Sequence, residues 1–429
     1  MSKSINIVVI ASCILILLSL TFSMSHYLPI LQRMWLFVAL GFVLPAIACP
    51  SFYGSKVFLS YLLYIMMVSI SYLIRRSYFT TSGYFFRETY IMIIPAGLFY
   101  LFTKQKDNKM GNTLLITFIS ILVYTTILSF IINLAFPGII RSAFAAGREG
   151  GAMEAISESY YKKGLSSYEF PHALPILIPA LLAVVLHGSV RTIIKFLFLI
   201  ILVLTLVLIY ISGSTTALGL AALILVISFF IREKSFSRNS KSLILILLIS
   251  LPILLNKDVQ LVFLDYIDEI TGLESGLHGK IMDIEDSIKY GSDEGTVGAR
   301  TERYNMTWNV FLNNMLFGGE GGGGHSALLD RLSTLGLIGF FPYILFIVAQ
   351  VKYTVLFIPK QIVTYYYVGI LAGIIMLASK NMSNWYLWLC MFTILPIILI
   401  LFFKKSVKNE DISRHVSVAP SGSSVHTKN

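Results

Sequence analysis

The amino-acid sequence predicts an all-α polytopic membrane protein with about 12 transmembrane helices and two long loops on one side of the membrane. Hydrophobic residues make up 56% of the chain and charged residues only 13%, whereas soluble domains are about half apolar and a quarter charged. The apolar runs are roughly 17–24 residues long, which suffices to cross a ~30 Å hydrocarbon core. Barrel strands would be ~10 residues long and would alternate in polarity. Because lipid cannot satisfy backbone polar groups, the runs are predicted to be helices.

The apolar runs share a length suited to a membrane span and define the domain organisation. The predicted spans cover residues 5–23, 30–49, 56–74, 88–103, 113–136, 172–187, 193–211, 215–231, 241–256, 330–351, 361–379 and 383–403. Only the segments of about 137–171 and 257–329 between spans are long. Residues 1–408 therefore form one integral membrane domain. Residues 409–429 are polar and are expected to be a disordered cytoplasmic tail.

The distribution of lysine and arginine predicts the orientation of the spans. If the amino terminus is cytoplasmic, most short basic loops fall inside, as the positive-inside rule requires. These loops contain Lys104, Lys106, Lys109, Arg191, Lys195, Arg232, Lys234, Arg238 and Lys241, and the basic start of the tail contains Lys404, Lys405 and Lys408. Both long loops then lie outside. The short loop with Arg75, Arg76 and Arg87 is the exception, since it also falls outside.

The formal charge of +11 does not indicate nucleic-acid binding, because the basic residues lie mostly in these short loops. Cys13, Cys49 and Cys390 lie within or beside apolar segments without the spacing of metal ligands, so we interpret them as packing residues. The acidic pairs Asp268-Glu269 and Glu285-Asp286 could bind a divalent ion, but they are more typical of a solvated loop face. We therefore expect neither a metal nor another cofactor.

Residues 298–339 combine the features that suggest chemistry. The spacing predicts an amphipathic helix from Arg300 to Leu316 at the outer membrane face. Its apolar stripe is predicted to contain Tyr304, Trp308, Phe311 and Met315. A glycine hinge over residues 318–324 follows, and a new helix is predicted to begin near Ser326 and enter the bilayer. Gly336 and Gly339 in that helix indicate close helix packing.

His325 and two arginines could catalyse transfer from a lipid diphosphate. The positive end of a helix dipole disfavours imidazolium, so His325 at a helix start would stay neutral and available as a base. The forked donors of Arg300 and Arg303 match phosphate oxygens. Simpler interpretations exist: the arginines could pair with Glu302, Asp293 or Glu294, and His325 could be an ordinary interfacial residue.

This stretch resembles the signature region of the O-antigen polymerase/ligase superfamily, which contains the Wzy polymerases and the WaaL ligases. The resemblance rests on Arg-Thr at residues 300–301, Leu-Phe-Gly at 316–318, the glycine run, and His-Ser-Ala-Leu-Leu-Asp at 325–330 before Gly336 and Gly339. It implies a metal-independent glycosyltransferase that uses an undecaprenyl-diphosphate-linked glycan as donor. It also implies that Arg300 contacts the diphosphate and that His325 activates the acceptor hydroxyl. The ligases commonly show His-Asn here, so His-Ser favours a Wzy-type polymerase.

One departure from the family pattern concerns a Ser-Arg pair at the outer start of an earlier helix. Here the matching stretch is Ser212-Gly213-Ser214-Thr215-Thr216, which lacks arginine, so either another cation helps to bind the diphosphate or the diphosphate is held differently. The candidates are the basic residues of the outer loops. They are Arg141, Arg148, Lys162, Lys163, Arg75, Arg76 and Arg87. His172, at the end of the first long loop, is a second candidate base on the rim of the site.

The sequence therefore favours a polymerase that joins lipid-linked repeat units of an O-antigen or other surface polysaccharide at the periplasmic face of the bacterial inner membrane. The expected partners are the undecaprenyl-diphosphate-linked glycan, membrane lipid and a chain-length regulator protein, with no nucleic acid. An O-antigen ligase, which transfers the glycan to lipid A–core, stays open as an alternative. A flippase for the same glycans would need charged groups at mid-membrane, and the predicted spans are nearly free of them. A membrane scaffold would leave Arg300 and His325 without a purpose.

Overall fold

A computed structural model describes most of the predicted membrane domain. It describes residues 11, 49–75, 79–105, 108–137, 139–140, 159–160, 163–167, 169–231, 257–271, 281–282, 285–286, 289, 295–319, 326–380 and 384–403. The regular structure in these ranges is helical, which confirms the all-α prediction there. Apart from residues 11 and 49, the predicted spans 5–23, 30–49 and 241–256 lie outside the described residues. The tail 409–429 does as well.

Most helices follow the predicted spans closely, but the helix Phe79–Gln105 begins nine residues before the predicted span 88–103, so Arg87 lies in a helix and not in the predicted loop. They are α1 Lys56–Arg75, α2 Phe79–Gln105, α3 Asn108–Ala135, α4 Glu169–Ala173, α5 Ile178–His187, α6 Thr192–Ile211, α7 Thr215–Phe230, α8 Lys257–Thr271, α9 Gly295–Asn313, α10 Ala327–Val355, α11 Val363–Ser379, α12 Trp385–Leu389 and α13 Leu395–Phe403. A 3₁₀ turn at Leu174–Ile176 joins α4 to α5, and a π-helical turn at Cys390–Ile394 joins α12 to α13.

Four helical stretches within the described ranges are long and apolar enough to cross a membrane by themselves: α3, α6, α10 and the continuous helix Trp385–Phe403. The pair Glu169–Ile176 and Ile178–His187 is bent by 41° and forms a fifth span if it is counted as one. Shorter apolar stretches lie in α1, α2, α7 and α11. The total of about 12 spans stays a prediction.

The helix Trp385–Phe403 forms the centre of the bundle. In its most apolar stretch 83% of the residues are buried inside the protein, and Trp388 and Phe392 are fully covered. The ring of Phe346 in α10 meets Phe392 edge-on at 5.9 Å, and Tyr343 meets Trp388 at 6.2 Å. Helix α10 also packs along α1. The core therefore holds α10 firmly, and α10 is the helix that follows His325 in the sequence.

Several helix ends meet at one end of the bundle. The backbone N–H of Ala327, at the start of α10, donates to the Lys380 carbonyl just after α11 at 3.0 Å. Phe170 in α4 packs against Tyr386 in α12 with ring centroids 5.1 Å apart. The predicted topology assigns this end to the outer side of the membrane, where the two long loops are expected.

Candidate functional site

The structure describes some of the predicted site residues in full, one by its backbone alone and others not at all. His325, Arg141 and Arg148 lie outside the described residues. Arg300 lies in α9, of which only the backbone is described at this position, and Arg303 lies in the same helix with a half-buried side chain. Lys163 and His172 are fully described.

Helix α9 contacts the bundle through part of the predicted stripe and through a further residue. Phe311 is buried and Tyr304 is half-buried, but Trp308 and Met315 are exposed. Thr307, which is not part of the predicted stripe, is also buried, and its hydroxyl donates to the Arg303 carbonyl at 2.7 Å. Half of the predicted stripe is thus covered by the protein, while Trp308 and Met315 are exposed on its surface.

The helix also has different ends from those predicted. It begins at Gly295 rather than Arg300 and ends at Asn313 rather than Leu316. The early end follows from a turn in which the Gly318 N–H donates to the Asn314 carbonyl at 2.7 Å. Gly318 has φ of +72°, a left-handed conformation that glycine adopts at helix ends. This turn directs residues 315–319 back toward α10.

Helix α10 begins as the sequence predicts. Ser326 is its N-cap, and the Ser326 hydroxyl accepts a bond from the Leu329 N–H at 3.2 Å. The chain contains His325 immediately before this cap. Beside it, the Tyr304 hydroxyl of α9 donates to the Ser379 carbonyl at 3.3 Å, next to the Lys380 carbonyl that holds Ala327. Helix α9, which contains the arginines, and the start of α10 are thus hydrogen-bonded to adjacent residues at the end of α11.

Gly336 breaks α10 instead of serving as a simple helix-packing residue. Its φ of +61° and ψ of −173° are not helical, so α10 consists of two segments, residues 327–335 and 337–355. Residues 315–319 bond to the break: Leu337 N–H donates to the Met315 carbonyl at 2.8 Å and Ile338 N–H to the Leu316 carbonyl at 3.1 Å. Gly319 N–H donates to the Ser333 carbonyl at 2.8 Å. Gly336 does allow a close approach, in this case by the backbone of Leu316 and Gly318, but the break in the helix was not predicted.

Arg331 is a buried cation to which the sequence argument gave no role. It is 1% exposed, and its Nη1 donates to the Tyr343 hydroxyl at 3.2 Å. The centre of its guanidinium lies 4.6 Å from the centroid of the Tyr343 ring. Tyr343 packs in turn against Tyr64 and Trp388. An arginine at the start of an apolar run was the signal that could have revealed it, because a charge there is costly unless it is engaged.

His172 is buried, whereas the sequence analysis expected it on the rim of the site. It is 1% exposed, and its Nε2 lies 2.7 Å from the Ser214 hydroxyl. That hydroxyl also accepts a bond from the Ala217 N–H at 3.3 Å and so caps α7. Ser214 lies in the stretch that lacks the family arginine. In this protein the stretch is therefore contacted by a buried histidine, a pairing that sequence spacing alone could not show.

Lys163 is exposed and belongs to a segment anchored on α3. The Lys163 carbonyl accepts a bond from the Tyr124 hydroxyl at 2.9 Å, and the Ser166 N–H donates to the Ser129 hydroxyl at 3.0 Å. The ammonium of Lys163 lies 5.1 Å from the centroid of the Tyr160 ring. Lys163 is therefore an exposed cation beside an aromatic ring, on a segment whose backbone is anchored.

In the acidic loop, Glu285 is paired rather than free. Its carboxylate receives a bond from the Lys289 ammonium at 2.9 Å, one helical turn away. The described part of the loop therefore includes an ion pair typical of an ordinary loop helix.

The structure thus brings α9, the start of α10 and the end of α11 together, and separately brings His172 to the start of α7. A search of the curated proteins and a search of solved structures found no match to the chain. A family model described as O-antigen ligase matches residues 197–324, a region that includes Arg300 and Arg303 and ends just before His325. The match covers less than half of the chain, and over residues 197–324 it supports the resemblance to the O-antigen polymerase/ligase superfamily that the sequence predicts.

Proposed function

We propose that the protein is a polymerase that joins undecaprenyl-diphosphate-linked oligosaccharide repeat units at the periplasmic face of the inner membrane. The observation that carries the proposal is the packing of α9, which contains Arg300 and Arg303, against α10, whose N-cap follows His325. The family supports a polymerase or ligase type of glycosyl transfer and implies a lipid-linked glycan substrate.

In the proposed reaction the hydroxyl of one repeat unit attacks the anomeric carbon of another. A glycosidic C–O bond forms, the bond between that carbon and the diphosphate breaks, and undecaprenyl diphosphate leaves. His325 takes the proton from the attacking hydroxyl, while Arg300 and Arg303 stabilise the charge that develops on the diphosphate. No metal is required in this scheme, since the arginines supply the positive charge.

Further cations are proposed to replace the arginine that the stretch 212–216 lacks. Lys163 is the candidate with a described side chain, because it is exposed on an anchored segment beside Tyr160. Arg141 and Arg148, in the same long loop, are proposed to assist it. His172 is not proposed as the base, because its Nε2 is already engaged by Ser214.

The proposed location is the bacterial inner membrane, with both termini in the cytoplasm. The basic short loops support this orientation. A chain-length regulator protein is a proposed partner. The ligase, which would transfer the glycan to lipid A–core, is the second candidate, since the matching family model is described as O-antigen ligase.

The test is deletion of the gene in the native strain, followed by gel analysis of the surface polysaccharide. We expect lipid A–core that carries a single repeat unit, and we expect the wild-type gene to restore the ladder. His325→Ala and Arg300→Ala should not restore it, with a loss of at least about 100-fold in polymer, as for removal of a catalytic acid–base group. Immunoblots establish that each variant is present at the wild-type level.

The matched control is Arg191→Ala, which removes an exposed arginine at the opposite end of the bundle, before α6, and should restore the full ladder. Bare lipid A–core in the deletion strain, with long chains retained on the lipid carrier, would instead identify a ligase. An unchanged ladder would refute a role in O-antigen assembly. Activity of both site variants would refute the proposed mechanism.

A further inference from the structure

The break in α10 leaves backbone groups that need partners. In a continuous helix the N–H groups of Leu337 and Ile338 would donate to carbonyls of the preceding turn. At the break they donate instead to the Met315 and Leu316 carbonyls, and the Ser333 carbonyl is satisfied by Gly319 N–H. Backbone groups near lipid are costly when they lack partners, so residues 315–319 complete the broken helix. We call this set of three backbone bonds the splice.

Only glycine fits at the two closest positions of the splice. A Cβ on Gly336 would lie 2.3 Å from the Leu316 carbonyl oxygen, and a Cβ on Gly318 would lie 2.4 Å from the Thr334 carbonyl group. Both residues also have positive φ, which disfavours any L side chain. The obstacles are backbone atoms, so they cannot move aside as a flexible side chain could. Alanine at either position would therefore separate residues 315–319 from α10.

The splice is one of three joints in a closed frame. The second joint is the bond from the Tyr304 hydroxyl of α9 to the Ser379 carbonyl. The third is the bond from Ala327 N–H of α10 to the Lys380 carbonyl. The segment 315–319, which directly follows α9, is thus bonded to α10, while α9 and α10 are each bonded to one of two adjacent residues at the end of α11. These three connections together restrict the positions of α9, α10 and the end of α11 relative to one another more than any one connection would.

We propose that Gly318, Gly336 and Tyr304 are positioning residues, whose frame holds the arginine-bearing helix α9 in register with the segment that follows His325. The proposal rests on the proposed function, because Arg300, Arg303 and His325 must act on one glycosyl diphosphate at the same time. A displacement of about 1 Å can reduce the rate of such a reaction by about 100-fold. The frame supplies this precision at a place where the chain between residues 319 and 326 is rich in glycine.

Two measurements on the full chain in lipid nanodiscs test the proposal. Hydrogen exchange followed by mass spectrometry measures the protection of the backbone N–H groups in the splice, and it does not require enzymatic activity. The transfer assay uses the lipid-linked repeat unit extracted from the deletion strain as substrate. The variants are Gly318→Ala, Gly336→Ala and Tyr304→Phe, and the matched control is Gly219→Ala in α7, where a Cβ would meet no atom within 4 Å.

In Gly318→Ala and Gly336→Ala we expect the amide hydrogens of residues 315–319 and 333–338 to exchange at least about tenfold faster than in the wild type. The rest of the bundle should keep its wild-type protection. Their KM for the lipid-linked substrate should rise about tenfold or more and kcat should fall, because α9 is displaced. Tyr304→Phe loses one hydroxyl and should raise KM by about threefold. Gly219→Ala should match the wild type in both measurements.

A merely structural role would reduce the amount of folded enzyme, so it would lower the maximal rate in proportion and leave KM unchanged. That result would overturn the proposal, and so would wild-type rates of amide hydrogen exchange in Gly318→Ala and Gly336→Ala. If the glycine variants do not fold, Tyr304→Phe decides, and a wild-type KM in that variant overturns it. If the wild-type protein has no transferase activity, the proposed function fails and the positioning role fails with it, while accelerated exchange would still establish the splice.

Discussion

The contact between His172 and Ser214 provides a quantitative test of the site geometry. Ser214→Ala removes two interactions at once: the cap of α7 and the bond to a buried imidazole nitrogen. Loss of a serine N-cap costs about 1 kcal/mol. Removal of a hydrogen-bond partner from a buried polar group costs about 1–3 kcal/mol. Together these predict a destabilisation of roughly 2–4 kcal/mol.

The assay is reversible unfolding of the protein in mixed micelles, with the free energy measured for a double-mutant cycle. The cycle combines Ser214→Ala with His172→Leu, and the expected coupling energy between the two residues is about 1–2 kcal/mol. Ser60→Ala is the matched control. That serine hydroxyl donates only to the carbonyl one turn earlier in α1, so its loss should cost less than about 0.5 kcal/mol.

Additive effects in the cycle would refute the bond between His172 and Ser214. A cost for Ser214→Ala no larger than that of Ser60→Ala would refute both the bond and the cap. Either result would return His172 to the set of candidate bases. It would also reopen the question of which residue faces the stretch that lacks the family arginine.

Two further predictions concern cations. Arg331→Lys should destabilise the protein by about 1–3 kcal/mol in the same unfolding assay. The reason is that an ammonium cannot both cover the Tyr343 ring and reach the Tyr343 hydroxyl, as the guanidinium does. A stability equal to that of the wild type would contradict this packing role. A chelator should leave the transfer rate of the purified protein within about twofold of its untreated value, since arginines supply the positive charge in the proposed mechanism. Inhibition that added Mg²⁺ reverses would instead indicate a metal site in the acidic loop.

The regular helices could be predicted from the sequence because their signal is local. Spans such as 193–211 and 383–403 are long apolar runs, and the observed helices Thr192–Ile211 and Trp385–Phe403 differ from them by at most two residues. The start of α10 was also predictable, because a serine before an apolar run is a local capping signal.

The splice could not be predicted, because it joins residues about 20 positions apart through backbone atoms. A single glycine in an apolar run reads equally well as a site of close helix packing. Likewise, the partner of His172 lies 42 residues away, and no local pattern pairs a histidine with a distant helix cap. The burial of Thr307 also has no local signal, since this residue is polar by type but satisfies its hydroxyl within its own helix. In each case the outcome depends on tertiary contacts, and propensity and periodicity contain no information about them.

The break at Gly336 also explains how a charged pair can stand at the start of a predicted span. The run 330–351 places Asp330 and Arg331 inside the membrane, where charges are costly. With the break, the segment after Gly336 is about 19 residues long and rises roughly 28 Å, which matches a hydrocarbon core of about 30 Å without the charged pair. Residues 327–335 can then lie at the membrane interface together with α9. A lipid-linked diphosphate also lies at that depth, because its lipid chain stays in the core while its charge stays in water. The same glycine that completes the frame therefore sets the level at which the proposed chemistry takes place.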